Sequence, residues 1–151
     1  MSPDLILHLL SRFVHISSAI LLLGGAFYAR QVLVPVMSFL PSGQVEAVAL
    51  TSQSRFRTTL WSLLVLIVLS GLYNFTTYSG PKHTSTYQMW FGIKMLLVLH
   101  VLATAVLWGT TPYSGEASIG KSNRRLRGMV ISGFLIVLIS AYLRSLSQRG
   151  L

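Results

Sequence analysis

The sequence contains no cysteine, and its only acidic residues are Asp4, Glu46 and Glu116. The first absence excludes disulfides, thiolate metal sites and thiol nucleophiles, and leaves the redox compartment unreadable from cysteine usage. The second leaves no carboxylate inside any long apolar run, so no general base can be named. Charged residues make up only 10% of the chain, where a soluble domain carries about 25%. There is no tandem repeat and no low-complexity tract.

In place of charge there are four long apolar runs, over residues 4–28, 59–78, 87–108 and 128–146. Each approaches the roughly 20 residues that cross a bilayer. The expected fold is therefore all-α: a polytopic membrane protein whose 151 residues form one four-transmembrane-helix bundle. Ser2 or Asp4 can cap the first helix, with Pro3 tolerated in its first turn. Gln31 to Met37 can extend the helix briefly, and Pro35 and Pro41-Ser42-Gly43 are expected to break it. The stretch from Gln44 to Arg57 is polar enough to lie outside the bilayer, as an interfacial helix leading into the next span. Trp61 and Tyr78 suit the two ends of the second span as interface anchors. Ser79-Gly80-Pro81 and residues 111–115 read as terminators, and Lys121 to Arg127 as a basic loop. The N-terminal run reads as a retained span and not a cleavable signal, because it has no basic leader and carries His8, Arg12 and His15.

Twelve Lys and Arg against three acids give a formal net charge of +9. In a soluble protein that balance would suggest nucleic acid; here it reads as the basic ends of spanning helices, with no nucleic-acid partner. Arg30, Arg55, Arg57, Lys121, Arg124, Arg125 and Arg127 fall on one side of the bilayer. Lys82, Arg144 and Arg149 fall on the other, joined by Arg12 and Lys94 if these are assigned to their nearer surface. The excess places the two longer loops in the cytoplasm and both termini outside, as in a bacterial inner-membrane protein.

Ionisable groups inside spans are costly and usually face a bundle interior, where they meet a partner or ligand. His8, Arg12 and His15 are spaced by four and three residues, which groups them on one helical face. His15 lies roughly 15 Å along the first span and His100 roughly 20 Å along the third, at 1.5 Å per residue. Both depths are near the middle of a hydrocarbon layer about 30 Å thick. Two imidazoles at matching height on parallel helices can serve as axial ligands to one haem iron. Ser11, Ser18, Ala19, Gly25, Ala26, Ala103, Thr104, Ser132 and Gly133 would leave room for a porphyrin, although small residues also serve plain helix packing. Arg12 and Lys94 lie nearer the surface, where haem carboxylates need cationic partners. Lys94 can equally snorkel, and its offset from His100 is about 240°, so the two do not share a face.

The run Leu9-Leu10-Ser11-Arg12-Phe13-Val14-His15-Ile16, followed by Gly25-Ala26-Phe27-Tyr28-Ala29-Arg30, resembles the first helix of a superfamily of four-helix membrane proteins. These are grouped around the HemJ-type protoporphyrinogen oxidases and the CopD-type copper-resistance proteins. Arg55-Phe56-Arg57 with Leu69-Ser70-Gly71-Leu72-Tyr73 is similar to the second span of that group, and Trp90-Phe91-Gly92-Ile93-Lys94 to its third. The resemblance implies that His15 is a haem-associated histidine and Lys94 the third-helix lysine. It implies haem b as cofactor and oxidation of protoporphyrinogen IX as one activity. His100 is outside that pattern, and its assignment rests on depth alone.

The expected function is that of a membrane b-type haem protein with a redox role, either electron transfer or oxidation of a porphyrinogen. His15 and His100 would be its metal ligands, and Arg12 and Lys94 its carboxylate partners. Quinone, a porphyrin or a redox partner protein would be its counterpart. Two alternatives stand beside this reading. A CopD-like copper permease is disfavoured by the absence of cysteine and of a methionine ladder, since Met89 and Met95 are isolated. An accessory subunit of a larger respiratory or photosynthetic complex, or a homo-oligomer, would use its histidines only for hydrogen bonding.

Overall fold

A computed structural model of the chain describes residues 3–77, 85–111 and 116–148. Five α-helices account for nearly all of them: α1 (Pro3–Tyr28), α2 (Val34–Met37), α3 (Ser42–Thr77), α4 (Ser85–Thr110) and α5 (Glu116–Gln148). A π-helical turn, Ala29–Leu33, joins α1 to α2. Four helical stretches, within Pro3–Met37, Gly43–Thr77, Ser85–Thr110 and Ser118–Gln148, are long and apolar enough to cross a membrane. The chain is an integral membrane protein of the all-α class. Ser2, Tyr78, Ser79-Gly80-Pro81, Lys82, His83, Pro112 to Gly115 and Arg149 lie outside the described residues.

The π turn follows from Pro35. Proline has no N–H to return to the carbonyl four residues earlier, and its ring crowds that carbonyl. The helix widens by one residue just before it, and the Val34 N–H reaches back to the Ala29 carbonyl. Such single wide turns within helices are frequently found at functional positions. The chain then turns at Ser38–Leu40, and Pro41 accepts backbone hydrogen bonds from Gln44 and Val45 as α3 begins.

Two expected boundaries differ from the structure. The polar segment 44–57 is helical and leads into the second span as expected, but with no boundary between them: both belong to α3, which runs without a break for 36 residues. The basic segment 121–127 is not a loop; it is helical, in the first turns of α5. Both errors have one cause. Hydropathy marks where a helix leaves the bilayer, whereas a helix ends only where backbone or capping chemistry ends it. At 1.5 Å per residue α3 is about 54 Å long, well beyond a hydrocarbon layer of about 30 Å.

Packing joins the helices as two hairpins. The closest pairings are α1 with α3 and α4 with α5, while α1 with α5 and α3 with α4 close the ring more loosely. α1 and α4 are thus diagonal. The shared core contains Leu22, Ala26, Leu60, Leu63, Leu64, Ile67, Val101, Ala105, Leu126 and Met129. Large apolar side chains also cover the outside: Phe13, Leu96 and Phe134 are each 68% exposed. An apolar exterior of this extent needs lipid around it. A second small cluster, Met37, Val45 and Ala49 with Ile119 against it, holds the α2–α3 elbow to the start of α5.

Lipid tails are as apolar as the helices, so helix association depends on close packing. At Gly133 a β-carbon would fall 2.5 Å and 2.8 Å from the two methyls of Leu23. The α1–α5 seam therefore requires glycine there. Gly133→Leu is expected to destabilise the bundle by about 1–3 kcal/mol, read as a lower melting temperature in detergent.

Candidate functional site

His15 sits on the inward face of α1, in the stripe Ser11, His15, Ser18 and Leu22; Ser18 and Leu22 are buried. Its Nδ1 lies 3.1 Å from the Ile67 carbonyl and 3.1 Å from the Ser70 hydroxyl, both on α3. The Ser70 hydroxyl donates its own proton back to the Leu66 carbonyl. Both neighbours of Nδ1 therefore accept, and Nδ1 carries the proton. The Nε2 of His15 is left as an unprotonated nitrogen with a free lone pair, the form in which imidazole binds a metal. Ser11 adds a 3.3 Å hydrogen bond from its hydroxyl to the Ser70 carbonyl.

The ring fits because residue 71 is glycine. A β-carbon there would stand 2.9 Å from His15 Cε1 and 3.3 Å from Nδ1. Ser70 and Gly71 thus form a seat for the imidazole: one supplies the hydrogen bond and the other the space.

His100 repeats this arrangement in the second hairpin. Its Nδ1 is 2.9 Å from the Ser132 hydroxyl on α5, and its ring lies over Gly128, where a β-carbon would be 3.3 Å from Cε1. In each hairpin a histidine on the first helix is bonded to a serine of a Ser-Gly pair on the second: Ser70-Gly71 and Ser132-Gly133. That duplicated dipeptide was the sequence signal for the histidines' partners. It is missed when the small residues are read only as space.

The two histidines are seated in different seams. His15 belongs to α1–α3; His100 belongs to α4–α5 and is exposed. At 100° per residue the buried face of α4, with Val101, Thr104, Ala105 and Gly109, is centred about 115° from His100. Lys94 points along that buried direction, seven residues before Val101. Lys94 is half-buried on that face. The ionisable residue of α4 turned toward the bundle interior is therefore Lys94, while His100 lies on the flank. Arg12 is exposed and turned away from the Ser11–His15–Ser18 stripe; His8 is half-buried.

Two features of the bundle interior suit a ligand. Among the described side chains no acid accompanies Lys94: Asp4 and Glu46 are exposed near the starts of their helices. Asn74, one turn beyond Ser70, has a buried Oδ1 with no hydrogen-bond partner among the described residues. His15 and Asn74 in the first hairpin and Lys94 in the second thus contribute a lone-pair nitrogen, an unpaired acceptor and a cation in the half of the bundle away from the α2–α3 elbow. Aromatic pairs stand over this end: Phe75 and Phe91 stack at 6.0 Å, and Trp90 and Tyr142 meet edge to face at 5.5 Å.

Among the described residues no three His, Asp or Glu side chains come together as a metal site. Met89 and Met95 are exposed. A cavity of about 650 Å³ opens at the opposite end of the bundle and includes none of His15, His100, Arg12 and Lys94 in its wall. The fold and this site define a class: a four-helix integral membrane protein with buried polar groups at mid-span. No protein-family model, curated protein or solved structure matches the chain.

Proposed function

We propose that the chain is a membrane b-type haem protein with a redox role, either passing electrons or oxidising a porphyrinogen. The observation that carries this reading is the hydrogen bonding of His15 Nδ1 to the Ile67 carbonyl and Ser70. With the Nδ1–H committed there, Nε2 is presented as a ligand. Metal-bound histidines characteristically make this outer hydrogen bond to a carbonyl. The fit extends to Lys94, a mid-span cation without a carboxylate of its own, which suits a propionate or a substrate carboxylate. When bound, haem would supply one-electron chemistry that this set of side chains does not provide.

Within that reading the residues have distinct tasks. His15 would hold the iron; Ser70, Ile67 and Gly71 fix the tautomer and position of its imidazole. Lys94 would neutralise a carboxylate of the bound group. His100 is held against Ser132 in the other hairpin, so it would take part only on release from that contact. Arg12, turned outward, is better placed to meet lipid headgroups by extending its stem.

The test is a visible spectrum of the detergent-purified protein, oxidised and then reduced with dithionite. A Soret band that shifts on reduction and a sharpened α band are expected. A colourless preparation that also fails to take up added haemin would overturn the proposal. Bound copper in such a preparation would favour the copper-permease alternative, and neither metal would favour an accessory role.

A further inference from the structure

The 650 Å³ cavity opens where the helices carry the most cations. Its floor is Phe56 edge-on to Trp108, with ring centroids 5.3 Å apart. Phe56 enters only because residue 25 is glycine; a β-carbon there would stand 2.8 Å from its ring. Leu33, Val34 and Met37, from the π turn and α2, complete an apolar wall. The rim differs in character: Arg55, Lys121 and Arg125 stand around it.

The rim is a built feature. Arg125 is aimed by hydrogen bonds from its guanidinium to the Thr111 hydroxyl at 2.8 Å and the Leu107 carbonyl at 3.3 Å. Trp108 donates to the Ser122 hydroxyl at 2.8 Å, tying α4 to the first turns of α5 below the basic residues. Of the acids whose side chains are described, Glu46 on α3 is exposed and Asp4 lies at the far end of the bundle. Buried polar groups remain unpaired at this end among the described residues, namely Arg30 Nε and Asn123 Oδ1.

An apolar interior beneath a cationic rim selects an amphiphile with an anionic head. Cations that sit where helices leave the bilayer recognise headgroups of lipids in that leaflet. The volume lies within the range of small-ligand sites. We infer that this cavity binds an anionic lipid, its phosphate held by Arg55, Lys121 and Arg125 and its chain lying against Phe56, Trp108 and Leu33. This site is separate from the histidines and does not depend on haem.

The test uses the full chain, stripped of lipid in detergent, with thermal stability followed as lipid is added. Phosphatidylglycerol is expected to raise the melting temperature, and phosphatidylcholine is expected to do so less. In the Lys121→Gln/Arg125→Gln variant the phosphatidylglycerol concentration needed should rise about twenty-five-fold, a factor of about five for each cation. Ser52→Phe, which fills the cavity without removing a charge, should also abolish the effect. Equal stabilisation by the two lipids would overturn the inference, as would an unchanged response in both variants. Stabilisation by inorganic phosphate alone, equal to that by phosphatidylglycerol, would show a free-anion site and overturn the lipid assignment.

Discussion

His15→Ala is expected to abolish the haem spectrum, while His100→Ala keeps most of it. The asymmetry comes from geometry. His15 is half-buried and has its tautomer fixed by a carbonyl that can only accept. His100 is exposed and held on α5 by a hydroxyl. Ser70→Ala should give an intermediate result, because the Ile67 carbonyl still accepts from Nδ1. Loss of an outer-sphere partner of this kind costs about 10–100-fold in metal affinity. Lys94→Gln should weaken retention of the pigment about tenfold or more, since a charge-assisted contact contributes about 1.5–3 kcal/mol. Lys94→Arg should restore much of it, because the charge matters more than its shape. The check is the ratio of Soret to protein absorbance after purification, then titration with haemin. If His15→Ala and His100→Ala lose pigment equally, the iron is clamped between both hairpins and the single-ligand reading fails. If neither loses it, His15 is not a ligand.

The four spans were legible because length and apolar content are properties of the chain alone. Their ends were not, and the failures are instructive. Gln44 to Arg57 is polar yet helical, because nothing in it stops a helix once Pro41 has started one. Lys121 to Arg127 is basic yet helical, because Leu, Arg and Lys are good helix formers outside the bilayer. The brief helical extension to Met37 was legible; what Pro35 adds is a turn one residue wider just before it. At the site, His15 was legible as a mid-span ionisable residue and Lys94 as a cation near the start of the third span. The way they are paired was not. Spacing alone grouped Arg12 with His8 and His15, but the buried face of α1 runs through Ser11, His15 and Ser18, which turns Arg12 outward. Matching depth suggested His15 with His100, but depth does not specify rotation about a helix axis. Rotation is set by which small residues let two helices meet, and here they put His100 on the flank and Lys94 inside.

Gly71→Ala is the most informative single methyl that can be added to this protein. In an exposed helix the change from glycine to alanine favours folding by up to about 1 kcal/mol. Gly24 and Gly92 have open space around the new carbon, so alanine at either should be neutral or stabilising. At Gly71 the new carbon would meet a rigid ring at 2.9 Å. The ring cannot yield without loosening Nδ1 from the Ile67 carbonyl and Ser70. Overpacking of this kind costs about 1–3 kcal/mol, so the net expectation is a loss of stability together with loss of pigment. The decisive comparison is a double-mutant cycle. In a His15→Ala background the clash partner is gone, and Gly71→Ala should become harmless or stabilising. Coupling between contacting residues is about 0.5–3 kcal/mol, measurable from melting in detergent in the absence of haem. Additive effects would mean that the imidazole does not occupy the space above Gly71. The fixed tautomer, and with it the case for His15 as a ligand, would then lose its structural basis.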